Sequence, residues 1–325
     1  MTDQPAPAPV PVLAPAPVPA PGDAGEVLSA RPASLWRDTL AGILRQRSAV
    51  VGLVILGIFL IVVVFADQIA PFDPRQSMLG VEDGILKQAP PCVHLFGCPA
   101  DRFEHIFGLD TNFQDVFSRV VIGSRISIGI GFAAVGMAIV IGGMIGAVAG
   151  YVGGRTDNIL MRLMDVVLAF PSLLLAIVIV SALGSSLINT MLAISIVSIP
   201  IYARIVRASV LGARENDYVT ASRALGESTS GILIRRIMPN AVTPLIVQGT
   251  LGIGTAVLEI AALAFVGVVS LSEITWGSMI AIEFQRLFTA PHIILAPGLA
   301  ITFVVLGFNL LGDGLRDAFD PRLNR

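Results

Sequence analysis

The sequence predicts an all-α integral membrane protein with six transmembrane helices, and two observations carry this prediction. The 325 residues are 54% hydrophobic and only 14% charged, whereas soluble domains carry about 25% charged residues. The apolar residues are also gathered into long runs, and a transmembrane helix needs roughly 20 mostly apolar residues. The composition therefore excludes an ordinary soluble fold.

Six stretches meet or approach the length of a membrane span. The fourth contains Pro200 but no charge before Arg204, and proline is tolerated in a span where neighbouring groups satisfy the freed carbonyl. The predicted spans are about 48–66, 124–150, 159–183, 187–206, 242–269 and 293–312. They form a membrane domain over 41–325.

Glycines at four-residue intervals mark the second span and its end. Gly142, Gly146, Gly150 and Gly154 follow this spacing, which lets another helix backbone approach closely. The favoured partner is another helix of this chain, and a subunit interface is the alternative.

The placement of Lys and Arg predicts the orientation of the spans. If the N-terminus is cytoplasmic, 15 of the 21 Lys and Arg residues lie on the inside, as the positive-inside rule requires. The six on the outside are Arg75, Lys87, Arg102, Arg119, Arg125 and Arg286. Both termini and the loop 207–241 are thus predicted to be cytoplasmic, and the loop 67–123 external.

Residues 1–40 form a Pro/Ala-rich tail. Proline recurs at nearly every second position from Pro5 to Pro21, which prevents the apolar helix of a signal peptide. Polyproline II or disorder is expected, with the tail as a cytoplasmic spacer.

The inventory of reactive residues is small. Three histidines and two cysteines leave little material for metal or thiol chemistry, and no basic tract with interleaved aromatics indicates nucleic-acid binding. We expect no catalytic residue, no metal site and no nucleic-acid partner.

A polar segment interrupts the apolar runs before the fifth span. Tyr218, Ala221 and Leu225 fall near one helical face, and Gly226 is placed to end that helix. Ser228 is expected to cap a second helix that runs to Met238, where Pro239 breaks it. The pattern predicts a rigid protrusion that docks a cytoplasmic partner; packing of Ala221 and Leu225 on this chain's own helix ends is the alternative.

This segment resembles the Glu-Ala-Ala motif of ABC importer permeases. The family pattern is Glu-Ala-Ala, three residues, Gly, nine residues and Ile-x-Leu-Pro. The corresponding positions here are Thr220-Ala221-Ser222, Gly226 and Arg236-x-Met238-Pro239. Thr220 replaces the Glu and Arg236 the Ile, and the first replacement is familiar in the peptide-importer branch.

Other segments over about 40–325 resemble the second-subunit type of dipeptide, oligopeptide and nickel permeases. Leu109, Phe113–Gln114 and Phe265–Val269 depart from the family pattern. The matching positions are Phe107–Asp110, Asp115–Arg119, Gly123–Ser127, Arg162–Asp165, Phe170–Ser172, Glu259, Asn309–Arg316 and Asp320–Arg322.

The resemblance implies the type I ABC importer permease fold and a complex of several different subunits in the bacterial inner membrane. Two related permeases would form the pathway, two cytoplasmic ATPases would bind ATP and Mg, and an external binding protein would deliver a di- or oligopeptide. This chain has no Walker A sequence, so no cofactor is expected on it. The residues assigned to ATPase coupling are Asp217, Tyr218, Ala221, Arg223, Ala224, Leu225, Gly226 and Pro239.

Charged residues inside the predicted spans are costly to bury. Glu259 either lines the pathway, where it meets a peptide's amino group, or caps a neighbouring helix, which is the favoured interpretation. Arg162 and Asp165 lie three residues apart and predict an ion pair. Asp313 and Arg316 predict another.

Cys92 and Cys98 in the external loop are candidates for a disulfide. A metal site with His94 and His105 and a pair of free thiols are the alternatives, although the spacing matches no standard zinc pattern. Trp276 is expected to anchor a short interfacial helix before the last span.

Two rival functions remain from the residues alone. An ion-coupled secondary transporter would show repeat symmetry and paired mid-membrane acids. A membrane enzyme would use Glu259, Asp165 and His292, but no nucleophile–base motif accompanies them.

Overall fold

The computed structural model describes residues 44, 46–82, 84–270 and 272–319. The predicted tail 1–40 and the motif residues Asp320–Arg322 lie outside the described residues. Within the described part the chain is helical, and its only β-type pairings are three isolated bridges between residues 79 and 115. The prediction of an all-α membrane fold is confirmed.

Nine principal helices follow one another along the chain. They are α1 Arg47–Val64, α2 Val116–Val152, α3 Gly154–Leu168, α4 Ser172–Leu183, α5 Leu187–Arg214, α6 Asp217–Ala224, α7 Thr229–Phe265, α8 Trp276–Glu283 and α9 Pro291–Phe319. Short helical turns cover Ala66–Ile69, His94–Phe96 and Phe284–Arg286.

Five of these helices, α1, α2, α5, α7 and α9, are long and apolar enough to cross a membrane, and α3 with α4 makes a sixth span if the pair is counted as one. Helices α2 and α7 each have 37 residues, about 55 Å at 1.5 Å per residue. Because the hydrocarbon core is only about 30 Å thick, both helices must project beyond it.

The predicted third span, 159–183, is not one straight helix. Helices α3 and α4 meet at an angle of 91° across residues 169–171. The reason lies in Pro171, which disfavours the helical conformation of Phe170 before it and donates no N–H. Helix α3 is also amphipathic and carries four charged side chains, so the apolar part of this span is mostly α4.

Helices α2 and α5 pack together through the glycines that the sequence marks. A Cβ atom on Gly142 would lie 2.6 Å from the carbonyl oxygen of Ile199, and one on Gly150 would lie 2.9 Å from that of Arg207. Gly146 meets the backbone of Ala203 in the same way. The close partner is therefore a helix of the same chain, while Gly154 lies outside this contact, with a φ of +59°.

Candidate functional site

The polar connection, residues 215–228 between α5 and α7, contains α6 and a sharp bend. Gly226 has a φ of +80°, a conformation that glycine adopts without steric cost. Its N–H donates to the Arg223 carbonyl and the N–H of Glu227 donates to that of Ser222. These two bonds are the Schellman arrangement that ends a helix, and Ser228 then accepts from Gly231 N–H and caps the next helix.

Helix α6 has a buried face and an exposed face. Val219 is fully buried and Ser222 nearly so, and Val219 packs in the main core cluster with Ile232 and Ile237. Tyr218, Ala221 and Leu225 point away from that core, with 40% of Tyr218 and 88% of Leu225 exposed. Within this chain, therefore, Ala221 and Leu225 do not pack on the helix ends.

Two polar contacts tie the polar connection to the beginning of α7. The Asn240 side-chain amide donates to the Tyr218 hydroxyl at 3.0 Å, and Arg236 pairs with Glu227 at 3.2 Å. Together with the buried Val219, these contacts hold α6 as a rigid extension of α7 rather than a loose loop.

The other residues assigned to coupling lie around this surface. Asp217, Arg223 and Ala224 are exposed on α6, and Asp217 lies in its first turn, where a carboxylate favours the positive end of the helix dipole.

Pro239 does not end a helix, so that prediction is wrong. Helix α7 runs on from Thr229 to Phe265, and its residues Ile232–Ile237 form a π-helical turn just before the proline. Proline has no N–H and crowds the carbonyl four residues before it, and a wider turn at that point removes the conflict without ending the helix.

A second candidate site is a cavity of about 230 Å³ enclosed by α5, α7 and the α3–α4 bend. Glu259 and Gln248 of α7, Tyr202 of α5 and Ser172 at the start of α4 line it. Glu259 thus faces a polar space beside the first residue of α4, where a carboxylate is favoured by the helix dipole. The geometry is compatible with both roles considered for Glu259.

Neither of the two predicted ion pairs forms among the described residues. Asp165 pairs with Arg204 of α5 at 2.5 Å rather than with Arg162, because α5 brings a guanidinium across from another helix. Arg162 lines an open polar cavity of about 500 Å³ beside Asp165. Among the described residues, Asp313 and Arg316 do not form an ion pair within 4.0 Å.

The long segment between α1 and α2 (the α1–α2 segment, residues 65–115) contains the two cysteines. Cys92 and Cys98 are joined by a disulfide with their Cα atoms 5.2 Å apart. His105 is buried and bonds to Asp115 at 2.9 Å instead of approaching a metal ligand set. No group of three metal-ligating side chains occurs in the part of the chain that the structure describes.

A buried polar cluster that the sequence did not reveal joins the α1–α2 segment to α8. Arg119 pairs with Asp110 at 3.4 Å, and Glu283 of α8 accepts hydrogen bonds from the hydroxyl and backbone N–H of Thr111. Burial raises the pKa of the Asp110 carboxyl above its ordinary value. Thr111 and Glu283 are 172 residues apart, so no local pattern could indicate the contact.

Trp276 is not an interfacial anchor, which corrects the prediction. The side chain is 1% exposed, and its Nε1–H donates to the Val120 carbonyl at 2.9 Å. The short helix α8 exists as expected, but its tryptophan joins the α2–α8 packing instead of lying at a membrane surface.

A bundle of apolar helices with a polar protrusion and an intramembrane carboxylate facing an internal cavity is the arrangement expected of a membrane transport subunit. The family model described as "Binding-protein-dependent transport system inner membrane component" matches residues 142–325. A second, "N-terminal TM domain of oligopeptide transport permease C", matches residues 34–91. The chain belongs to the family of binding-protein-dependent transport system inner membrane components, and it is a permease subunit.

Curated relatives match over most of their length. The dipeptide transport system permease protein of Alkalihalophilus pseudofirmus is 40% identical over 291 residues, which cover 89% of this chain and 91% of the relative. That of Haemophilus influenzae is 39% identical, with 86% and 92% covered. The glutathione transport system permease protein of Pectobacterium atrosepticum is 35% identical, with 89% and 91% covered.

Proposed function

We propose that this chain is one of two permease subunits of an ATP-driven importer that carries di- or oligopeptides across the inner membrane. Its relatives are named for dipeptide and glutathione transport, and these substrates share amide bonds together with charged amino and carboxylate groups. The polar cavity beside Glu259 offers a carboxylate to a cationic amino terminus, and several hydroxyl and amide groups to peptide bonds.

The observation that carries the coupling role is the exposed face of α6. Leu225, with 88% of its surface exposed, lies at the tip of a helix whose opposite face is anchored in the core. An exposed leucine beside Tyr218 and Ala221, on a rigid support, is a surface for a protein partner. In this proposal a cytoplasmic ATPase binds the exposed face of α6 and moves α6 and α7 together as one rigid body.

ATP and Mg²⁺ belong to the two partner ATPases in this proposal, and the chain itself holds no cofactor. A second permease completes the pathway, and an external binding protein delivers the peptide. The polar connection and both termini are cytoplasmic, so the α1–α2 segment faces the exterior.

Affinity capture of the tagged full chain from its native membrane tests the coupling role. The chain should bring down two ATPases and a partner permease, and Leu225→Asp should reduce capture of the ATPases but not of the permease. Leu86→Asp is the matched control, because Leu86 is 68% exposed in the α1–α2 segment and should leave ATPase capture unchanged. Equal ATPase capture by both variants would remove α6 from the coupling interface.

Uptake of a labelled dipeptide by cells lacking and regaining this chain tests the substrate class. Uptake that depends on the chain and on intact ATPases supports the proposal. Uptake that persists after the ATPases are inactivated, and collapses with the proton gradient instead, would favour a secondary transporter.

A further inference from the structure

A second polar cavity lies between α3 and α5, toward the end of the bundle that carries α6. This α3–α5 cavity has a volume of about 500 Å³, within the range of roughly 300–1,000 Å³ typical of ligand pockets. Its wall on α5 is Arg207, about two turns before that helix ends and the polar connection begins. The residues that line it on α3 are Asp157, Asn158, Ile159, Met161, Arg162 and Asp165.

The α3–α5 cavity follows directly on the cavity beside Glu259, which is called the internal cavity below. Asp165 and Leu168 lie three residues apart and so share one face of α3. Asp165 lines the α3–α5 cavity, and Leu168 lines the internal cavity. The order is the same on α5, where Tyr202 of the internal cavity comes just before Arg207 of the α3–α5 cavity. The two cavities therefore succeed one another along the same pair of helices.

The α3–α5 cavity has a surplus of positive charge. Asp157 holds Arg207 with two hydrogen bonds, and Asp165 pairs with Arg204 beside the cavity. Arg162 also lines the cavity, is exposed, and forms no ion pair with a described residue. Among the described residues, two carboxylates thus face three guanidinium groups. An anion from outside the chain would balance the remaining charge.

The internal cavity has the opposite charge. Among the described residues that line it, Glu259 is the only charged one. A peptide at neutral pH carries a positive amino group and a negative carboxylate. The internal cavity matches the amino group but offers no cation to the carboxylate, whereas Arg162 of the α3–α5 cavity offers one. The two cavities together complement a solute that carries both charges.

We propose that the α3–α5 cavity is an exit site, in which Arg162 binds the carboxylate of the peptide as it leaves the internal cavity. This inference rests on the proposed function, because it takes a peptide as the solute. The planar guanidinium of arginine matches a carboxylate with two parallel hydrogen bonds. The site lies toward the end of the bundle that carries α6, so the peptide reaches it after the internal cavity and before its release.

The anion preference of the α3–α5 cavity is measurable without transport. Asn158→Cys places a thiol in the cavity, while Cys92 and Cys98 are already joined in a disulfide. The purified importer complex is treated with a negatively or a positively charged methanethiosulfonate, and the mass of this chain reports its modification. The negative reagent should be favoured, relative to its reaction with a free thiol in solution. Arg162→Gln should lower this preference about fivefold, the effect of one neighbouring unit charge in water.

Arg155→Gln is the matched control for the anion preference. Arg155 is also an exposed arginine of α3, but it does not line the cavity, so the native preference should persist in this variant. Arg162→Lys keeps the charge and should keep most of the preference. An equal preference in Arg162→Gln and Arg155→Gln would overturn the exit site, whether or not the complex transports peptides.

Protection by the solute tests whether the anion is the peptide. A dipeptide at millimolar concentration should slow the reaction of Asn158→Cys with an uncharged methanethiosulfonate, and Arg162→Gln should abolish this protection. The same dipeptide with a carboxamide in place of its carboxylate should not protect. Protection by both compounds or by neither would overturn the exit site, and protection by phosphatidylglycerol alone would assign the cavity to a lipid head. Failure of the proposed function would differ, because dipeptide uptake would then not depend on this chain.

Discussion

Arg207 of α5 holds Asp157 of α3 with two hydrogen bonds, Nε to Oδ1 at 2.5 Å and Nη2 to Oδ2 at 2.6 Å. The carboxylate side chain is 13% exposed. One turn earlier on α5, Arg204 makes a single contact with Asp165, and both of these side chains are more than half exposed. The same two helices are thus joined by a sheltered bidentate pair and by an open single contact.

The two pairs should differ in their contribution to stability. Asp157→Asn should lower the free energy of unfolding by about 1.5–3 kcal/mol, because a partly buried, bidentate pair of charge-assisted hydrogen bonds is lost. Asp165→Asn should lower it by about 0–1 kcal/mol, as for other exposed pairs. Thermal denaturation of the purified protein in detergent compares them, and equal losses would contradict the assignment.

Gly142→Ala should separate α2 from α5. The new Cβ would lie 2.6 Å from the Ile199 carbonyl oxygen and 3.0 Å from the Ala203 nitrogen, which are backbone atoms that cannot rotate away. We expect a loss of about 1–3 kcal/mol, as for other overpacked sites, measured as a lower denaturation temperature. Gly136→Ala in the same helix meets no atom within 4 Å and should be neutral or stabilising by about 0.5–1 kcal/mol.

Gly226→Val should weaken coupling without preventing membrane insertion. A Cβ at this position has no neighbour within 4 Å, so the effect arises from the φ of +80° alone. The left-handed conformation costs roughly 1–2 kcal/mol for an ordinary residue. This cost corresponds to about a tenfold fall in the population of molecules that adopt the bend. Peptide uptake should therefore fall in Gly226→Val. It should largely persist in Gly226→Asn, because asparagine tolerates this conformation. Full uptake in the valine variant would argue against a coupling role for the bend.

The stability of the α1–α2 segment should depend on pH through Asp110. Because burial raises its pKa above the ordinary 3.8, the folded state binds the proton more readily than the unfolded state. Stability should therefore fall as pH rises from about 3.8 through the folded pKa.

Asp110→Asn tests this dependence, since the amide oxygen can still accept from the N–H groups of Asn112 and Gln114. Denaturation temperatures measured across that pH window should change less in Asp110→Asn than in the native protein. Asp101→Asn, at an exposed position of the same segment, should keep the native slope. An unchanged slope in Asp110→Asn would assign the pH dependence to another group.

Local patterns were sufficient for features that a few neighbouring residues decide. The apolar runs predicted a helical membrane protein, the glycine spacing predicted a close helix contact, and Gly226 with Ser228 predicted the bend and the following cap. Each depends on backbone conformation or on hydrophobicity along a short stretch, so each can be derived without knowing what lies across the bundle.

Features that depend on other helices required the tertiary structure. Arg162 and Asp165 have the spacing of an ion pair, but α5 offers Arg204 to Asp165 from across the bundle. Proline usually breaks a helix, yet α7 continues past Pro239 because a π-helical turn precedes it. Trp276 is amphipathic enough for a membrane surface, but a carbonyl of α2 satisfies its N–H in the interior.

The sequence by itself determined that this chain is a bundle of membrane helices with a polar, helix-bearing connection before α7, because hydrophobicity and turn chemistry are properties of contiguous residues. Only the tertiary structure decided which face of α6 is exposed, which carboxylates meet which guanidinium groups, and that α3 and α5 border both the internal cavity and the α3–α5 cavity. These features arise between residues tens to hundreds of positions apart, and the packing of the helices brings them together.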